Sequence, residues 1–404
     1  MIVTHCRRDG LSRAGGGSAH RPDRPAAVPE PPSGGGSGDG TPLASALRQM
    51  RDHCTDCGAC QTSCAFLSQY GTPGAIAAGF DFTAARDQRI AYRCSLCGLC
   101  AAVCPEQLDP RALFLDIRRR HVGDGHFDPR PYRAILGYEA LGSTALFRRD
   151  ALPSGCDTVL FPGCSLPGTR PAVTLELYRQ LRRIIPALGT VLACCAKPSH
   201  DLGRTAHFQA VFGAMRDRLI GHGVRTVLTA CPNCTRIFSQ YGQGLAVQTV
   251  YQILDDHGLA PAGVAGAGRT VSIHDPCPGR DDARTQAAVR SIVTGLGHTV
   301  VELCHHKRLT LCCGEGGMAG CTAPQFSRQW AVRRRREAEE RVLITWCAGC
   351  CGRLNRVTPT VHVLDLLFRP RLAIGRNIPV VRAPLTYVNR LLLKLRITTK
   401  RLNA

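Results

Sequence analysis

His274-Asp-Pro-Cys277, Cys312-Cys313-Gly-Glu-Gly-Gly317 and Cys347-Ala-Gly-Cys350 deliver five sulfurs from three short segments. Thiolates grouped as Cys-Cys and Cys-x-x-Cys, yet far apart in sequence, suit a soft metal or an iron–sulfur cluster. The arrangement also occurs earlier, as Cys164, Cys194-Cys195 and Cys231-Pro-Asn-Cys234. An internal duplication of about 110 residues accounts for both. Short apolar runs lead into the cysteines: Val159–Phe161, Val191–Ala193, Thr226–Thr229, then Thr270–Ile273, Leu309–Leu311 and Val342–Thr345. Helical patterns lie between or after them, at Ala172–Ile185, His207–Gly221, Val247–Asp256, Asp282–Leu296 and Phe326–Arg341, and His362–Phe368 closes the second unit. This alternation predicts parallel strands with crossover helices, and ligands gather at the carboxyl ends of such strands. Structural zinc or buried free thiols are the plainer alternative, but they do not explain ten cysteines in two matching registers. Ala196 stands where the first motif would have glycine, so the first site is expected to be the less regular. His274 and Glu315 are candidate proton donors to departing thiolates, with ordinary turn or capping roles equally open. Cys351 is a candidate spare ligand.

Upstream, a short helix at Leu43–His53 leads into Cys54-x-x-Cys57-x-x-Cys60-x-x-x-Cys64, and Cys94-x-x-Cys97-x-x-Cys100-x-x-x-Cys104-Pro105 follows. This is the register of bacterial two-cluster ferredoxins, in which the fourth cysteine of each run ligates the other cluster. The expected sets are Cys54, Cys57, Cys60 with Cys104, and Cys94, Cys97, Cys100 with Cys64. Gly58 and Gly98 let the backbone turn around each cluster. Ala65 replaces the usual proline after the first run, at no cost in ligands. Zinc has no reason to demand this register twice. The segment Arg111–Arg149 reads as a helical connector that ends at Leu152-Pro-Ser-Gly155.

Twenty-three cysteines in 404 residues, with no secretory leader pattern at the start, point to a reduced cytoplasmic protein whose thiols hold metal. No run approaches the length needed to span a bilayer. The net charge of +21 reads as arginine-rich solvated faces, including Arg118–Arg120 and Arg333–Arg336. Without interleaved aromatic residues these are no platform for bases, so no nucleic acid is expected. Residues 1–41 are too rich in Gly, Pro and Ser to fold. In the tail, Val388, Leu391, Leu392 and Leu395 share one helical face beside Arg390, Lys394, Arg396 and Lys400. Such a helix lies on a membrane, docks a partner or packs on its own domain.

The expected organisation is a Gly/Pro-rich tail (1–41), a dicluster ferredoxin-type domain with its connector (42–150), two cysteine-rich domains (155–262 and 268–370) and a basic amphipathic tail (371–404). The fold class is α+β and α/β. The sequence resembles the iron–sulfur subunit family that contains the D-type subunit of heterodisulfide reductase and the iron–sulfur subunits of glycolate, glycerol-3-phosphate and lactate oxidation. The resemblance rests on the two cysteine runs and the two CCG-type sets, over roughly residues 41–370. It implies an oxidoreductase subunit with two [4Fe–4S] cubanes and one or two further, non-cubane, clusters on Cys164, Cys194, Cys195, Cys231, Cys234 and Cys277, Cys312, Cys313, Cys347, Cys350. Facing clusters of this kind would each take one sulfur of a disulfide. The alternative is an electron relay from a flavin dehydrogenase to quinone. The implied partners are a flavin-containing subunit or a membrane cytochrome b or quinone-reactive subunit, with peripheral contact at the inner membrane face through 384–404. No Gly-x-Gly-x-x-Gly fingerprint is present, so a flavin or NAD is expected on another subunit.

Overall fold

A computed structural model describes residues 41–258, 268–370 and 381–399. The tail expected over 1–41 therefore lies almost wholly outside the described residues, as do 371–380 and 400–404 of the C-terminal segment.

The cysteine runs sit among short helices, Pro42–His53, Ala59–Ser63, Ala65–Tyr70, Pro73–Ala78, Ala85–Ile90 and Leu99–Val103. The first begins where Thr41 accepts the Ala44 N–H and Pro42 supplies a preset φ. The longer helix Pro110–Gly123 is capped by Asp109, which accepts from the Arg111 and Ala112 N–H groups. It buries Leu113, Phe114 and Ile117 against Leu43, Leu47, Met50, Phe66 and Leu67.

Beyond it stand two mostly parallel sheets. The first orders β1 (Arg149–Ala151), β3 (Gly189–Leu192), β2 (Thr158–Phe161), β4 (Thr226–Thr229) and β5 (Ala246–Thr249). The second orders β7 (Thr299–Val300), β6 (Thr270–Ile273), β8 (Val342–Thr345) and β9 (Thr360–His362). Apart from the antiparallel edge strand β1, the two orders are the same permutation, as a duplication requires. The arrangement is the mixed α+β and α/β class expected. Residues 149–151, read with the connector, pair instead with β3.

Two local expectations fail for physical reasons. Val247–Thr249 extends as strand β5 before the helix Val250–Asp256 begins, because pairing with β4 outweighs the helical pattern. Thr249 then caps that helix with Gln252 in a capping box. Leu309–Leu311 forms no strand. The Arg308, Thr310 and Leu311 carbonyls, which a ladder would need, accept from the Arg280 and Arg334 guanidiniums.

The two units share one core. Leu177 and Leu254 of the first pack with Val289, Ile292 and Leu364 of the second. The Tyr251 hydroxyl lies 2.9 Å from the Ala230 carbonyl and 3.1 Å from that of Trp346. These are the residues preceding the two Cys-x-x-Cys motifs, so one side chain pins equivalent points of both halves.

The arginine runs are not wholly solvated faces. Arg118 and Arg334 are fully buried. Arg118 donates to the carbonyls of Ala91, Cys94, Asp201 and Gly317, tying the dicluster region to both cysteine-rich units. The helix Leu385–Thr399 lays Leu393 and Ile397 on Leu192 and buries Arg390 over the Tyr138 and Phe147 rings. Leu385, Val388, Leu392 and Leu395 remain exposed on its other side. No helix among the described residues is long and apolar enough to cross a membrane.

Candidate metal centres

In the dicluster region the two cysteine loops have one backbone design. Asp56 and Gly58 in the first, and Leu96 and Gly98 in the second, adopt positive φ and wrap the chain around its sulfurs. Cys54, Cys57, Cys60 and Cys104 line one cavity; Cys64, Cys94, Cys97 and Cys100 line another. Cys100 lines both, so the cavities share a wall. Gly74 is needed beside the first, since a Cβ there would meet the Cys54 Cβ at 2.7 Å.

The chemistry of these cavities is that of thiols crowded out of water. Burial, then the charges of Cys54, Cys57 and Cys104, pushes the Cys60 thiol up to about 11. Burial and Cys97 push Cys94 up to about 12. Thiolates so placed need a cation to ionise together, and the four-sulfur sets Cys54, Cys57, Cys60, Cys104 and Cys64, Cys94, Cys97, Cys100 are soft donor sets that fit a cubane. The Leu96 N–H donates to the Cys94 sulfur over 3.3 Å, the kind of contact that tunes cluster potentials.

The ten cysteines of the two five-cysteine sets gather beside the carboxyl ends of the parallel strands, Cys312 and Cys313 arriving on a loop rather than a strand. In the first unit Cys164 hydrogen-bonds Cys194, Cys195 lies 3.5 Å from Cys234, and Cys234 contacts Cys231. In the second, Cys312 contacts Cys277 and Cys313, and Cys350 contacts Cys313 and Cys347. The loop after Cys313 also donates backbone N–H groups, from Gly314 to Cys312 and from Glu315 to Cys313. Ala196 takes the left-handed conformation, φ 53°, that its counterpart Gly314 takes at 93°. At Gly314 the freedom is obligatory, because a Cβ would meet the Ser327 carbonyl at 2.3 Å.

Two contacts absent from any sequence pattern join these groups. The Cys312 thiol lies against Cys97 and holds the Cys97 pKa down, so the second set touches the cavity of Cys64, Cys94, Cys97 and Cys100. Cys231 and Cys347, equivalent members of the two sets, face each other closely enough for each to shift the other's titration. Glycine makes the first contact possible: a Cβ at Gly316 would meet the Ser95 carbonyl at 2.4 Å, and one at Gly317 the Cys94 carbonyl at 2.8 Å. Arg280 fastens it by donating to the carbonyls of Cys97 and Thr310. Sequence reasoning missed Arg118 and Arg280. The available signal for Arg118 was its place beside Ile117 on the buried side of its helix.

His274 is fully buried, with neither ring nitrogen in a conventional hydrogen bond, and lies with the Cys313 and Cys350 sulfurs in a group within 4.8 Å. Burial pushes its pKa down, towards the neutral ring. Glu315 is exposed at the rim. Cys351 faces away from the set, bonded to Arg170 and the Thr360 carbonyl.

Comparison with known proteins accords with this geometry. Residues 50–108 match the 4Fe-4S dicluster domain family, and residues 158–239 and 271–355 each match the cysteine-rich (CCG) domain family. The chain is 26% identical over 284 residues to the B-type fumarate reductase (CoM/CoB) subunit of Methanothermobacter marburgensis, covering 64% of this chain and 55% of that one. It is 24% identical over 312 residues to a probable membrane-anchored ferredoxin of Chromohalobacter salexigens, covering 69% and 46%. The chain thus spans about half the length of the curated relatives it matches.

Proposed function

We propose that this chain, an iron–sulfur electron-transfer protein built from a 4Fe-4S dicluster domain and two cysteine-rich domains, carries single electrons to paired cysteine-rich sites where a disulfide is reduced. Cys54, Cys57, Cys60 and Cys104 would hold one cubane, and Cys64, Cys94, Cys97 and Cys100 the other. The sets Cys164, Cys194, Cys195, Cys231, Cys234 and Cys277, Cys312, Cys313, Cys347, Cys350 would hold the further clusters. Clusters bound there supply one-electron steps. The observation that carries the reading is the continuous line of sulfurs, from the shared cavity wall at Cys100 through Cys97–Cys312 to Cys231–Cys347.

The chain's own residues do the rest. Arg118 and Arg280 bring positive charge to the Cys94 and Cys97 carbonyls and so oppose the negative charge that accumulates on thiolate-bound clusters. Tyr251 and the shared core hold the two five-cysteine sets at a fixed separation. Two electrons and two protons convert one disulfide into two thiols, and two sites in contact suit a reaction that makes two sulfur products. The relative named for CoM/CoB fumarate reduction supports placing the chain in a multi-subunit reductase. Mössbauer and EPR spectra of anaerobically purified protein test the reading. We expect roughly 12 to 16 irons per chain and signals beyond those of two cubanes. Two cubanes alone would sink it.

A specific observation favours a second reading, relay to a membrane acceptor. Leu385, Val388, Leu392 and Leu395 are exposed on the C-terminal helix, and Leu146 is exposed beside it, where Lys394 reaches the Leu146 carbonyl. The same helix touches the loop of the first set, as Asn389 donates to the Gly168 carbonyl. Arg382 and Arg396 flank the apolar stripe. A surface of this kind suits an anionic bilayer. Replacing Val388, Leu392 and Leu395 with serine should weaken co-sedimentation with anionic vesicles by about tenfold or more. Because these side chains are exposed, the fold should survive the change. Unchanged sedimentation removes the membrane reading.

A further inference from the structure

A groove of about 650 Å³ opens beside the second cubane cavity, outside all the cysteine sets. Its volume is that of a small-molecule site. Its lining includes Tyr92, Phe127 and Tyr132, with the Phe127 and Tyr132 rings stacked at 5.8 Å and 12°. Arg86, Arg89 and Arg93, all exposed, also line it. Arg86 pairs with Asp87 and Arg93 donates to the Tyr70 hydroxyl and lies over that ring, whereas Arg89 has no carboxylate partner among the described residues. Asp128, the other acidic group in the lining, is taken by Arg130. The groove therefore offers half-buried aromatic surface at Tyr70 and Phe127 together with three guanidiniums against two carboxylates, a combination that suits a planar aromatic anion.

Its position adds a role. Arg93 lines both the groove and the cavity of Cys64, Cys94, Cys97 and Cys100. Tyr70 lines the groove, and its ring lies 5.3 Å from that of Phe66 and 6.2 Å from that of Phe326, both of which line the cubane cavity. One layer of side chains separates the two spaces.

We propose that this groove binds a planar aromatic anion with a two-electron couple, which exchanges electrons with the chain through the second cubane cavity. In the donating direction a bound hydroquinone loses two electrons, one at a time, to the iron–sulfur chain. Its two hydroxyl protons pass to water, and it leaves as the quinone. The redox part rests on the cubane assignment above; the binding part does not.

Anthraquinone-2,6-disulfonate is a suitable probe, used with the full-length, cluster-loaded protein under anaerobic conditions. Equilibrium dialysis should show saturable binding, and the reduced probe should bleach the cluster absorbance. Arg86→Ser with Arg89→Ser should raise Kd about tenfold or more and slow bleaching by the same factor at sub-saturating probe. The EPR intensity of the cubanes and reduction by the cationic methyl viologen radical should not change. Redox-inert naphthalene-2,6-disulfonate should compete for binding. Non-saturable binding, or a Kd indifferent to both substitutions, overturns the site. Saturable binding with bleaching equally fast in the double variant overturns its role in electron entry. If the wild-type protein lacks cubane signals, the cubane reading fails, while dialysis still decides the binding site.

Discussion

Arg118→Leu is expected to cost about 3–5 kcal/mol of folding stability, as the loss of a buried, fully bonded charge does elsewhere. The guanidinium is fully buried and donates to four carbonyls, those of Ala91, Cys94, Asp201 and Gly317, over 2.6–3.2 Å. It also stacks 5.0 Å from the centre of the Tyr92 ring. Leucine leaves those acceptors without their donor in a place water does not reach. Gly203 packs so closely there that a Cβ would meet the Arg118 carbonyl carbon at 2.5 Å, so the surrounding backbone has little room to rearrange. Arg118→Lys retains the charge but offers three donors on a flexible stem and should recover only part of the loss. Arg335→Leu, at an exposed position in another arginine run, should stay within about 0.5 kcal/mol of the parent. The shift in denaturant midpoint, followed by cluster absorbance, measures all three. Equal midpoints for Arg118→Leu and Arg335→Leu would falsify the view that Arg118 fastens the three units together.

The contrast between those two arginines shows what the sequence can and cannot convey. Cysteine registers are legible because a small rigid group dictates spacing locally, and the duplication is legible because two copies repeat the spacing. Strands such as Thr226–Thr229 and Val342–Thr345 are legible because an apolar run is cut off by the motif it presents. Burial of Arg118 and Arg334 is not, because a charged run looks the same whether its acceptors are water or carbonyls from distant segments. The missing strand at Leu309–Leu311 has the same origin: Arg280 and Arg334, remote in sequence, take its acceptors. The contacts Cys97–Cys312 and Cys231–Cys347 depend on how whole units dock. Only the glycines after Cys313 hint at a close approach, and they do not say to what. The exposed stripe on the C-terminal helix shows a further limit. Periodicity identifies Val388, Leu392 and Leu395 as one face, yet the face that packs is set by Leu393, Ile397 and the rings that accept Arg390.

On the proposed disulfide reduction, Cys347→Ser should lower reductive cleavage by about 100-fold or more, and Cys231→Ser should do the same. Each removes a sulfur from a different five-cysteine set, but these two sulfurs meet each other. If the sets act together on one disulfide, losing either partner stops the two-electron reaction. The double variant should then be scarcely slower than either single one, the non-additivity of groups that act as a unit. If the two sets are successive stations of a relay, the losses should instead multiply. The comparison is protected from simple misfolding by a second measurement. The cavities of Cys54, Cys57, Cys60, Cys104 and of Cys64, Cys94, Cys97, Cys100 contain neither substituted residue, so cubane EPR signals should keep their intensity in all three variants. Cys351→Ser is the matching control: its sulfur is buried nearby but bonded to Arg170 and the Thr360 carbonyl, and turnover should be preserved. Turnover that survives Cys347→Ser with full cubane signals would remove the second five-cysteine set from the chemistry. Multiplying losses would leave the set in the electron path and transfer the proposal from joint disulfide cleavage to sequential relay.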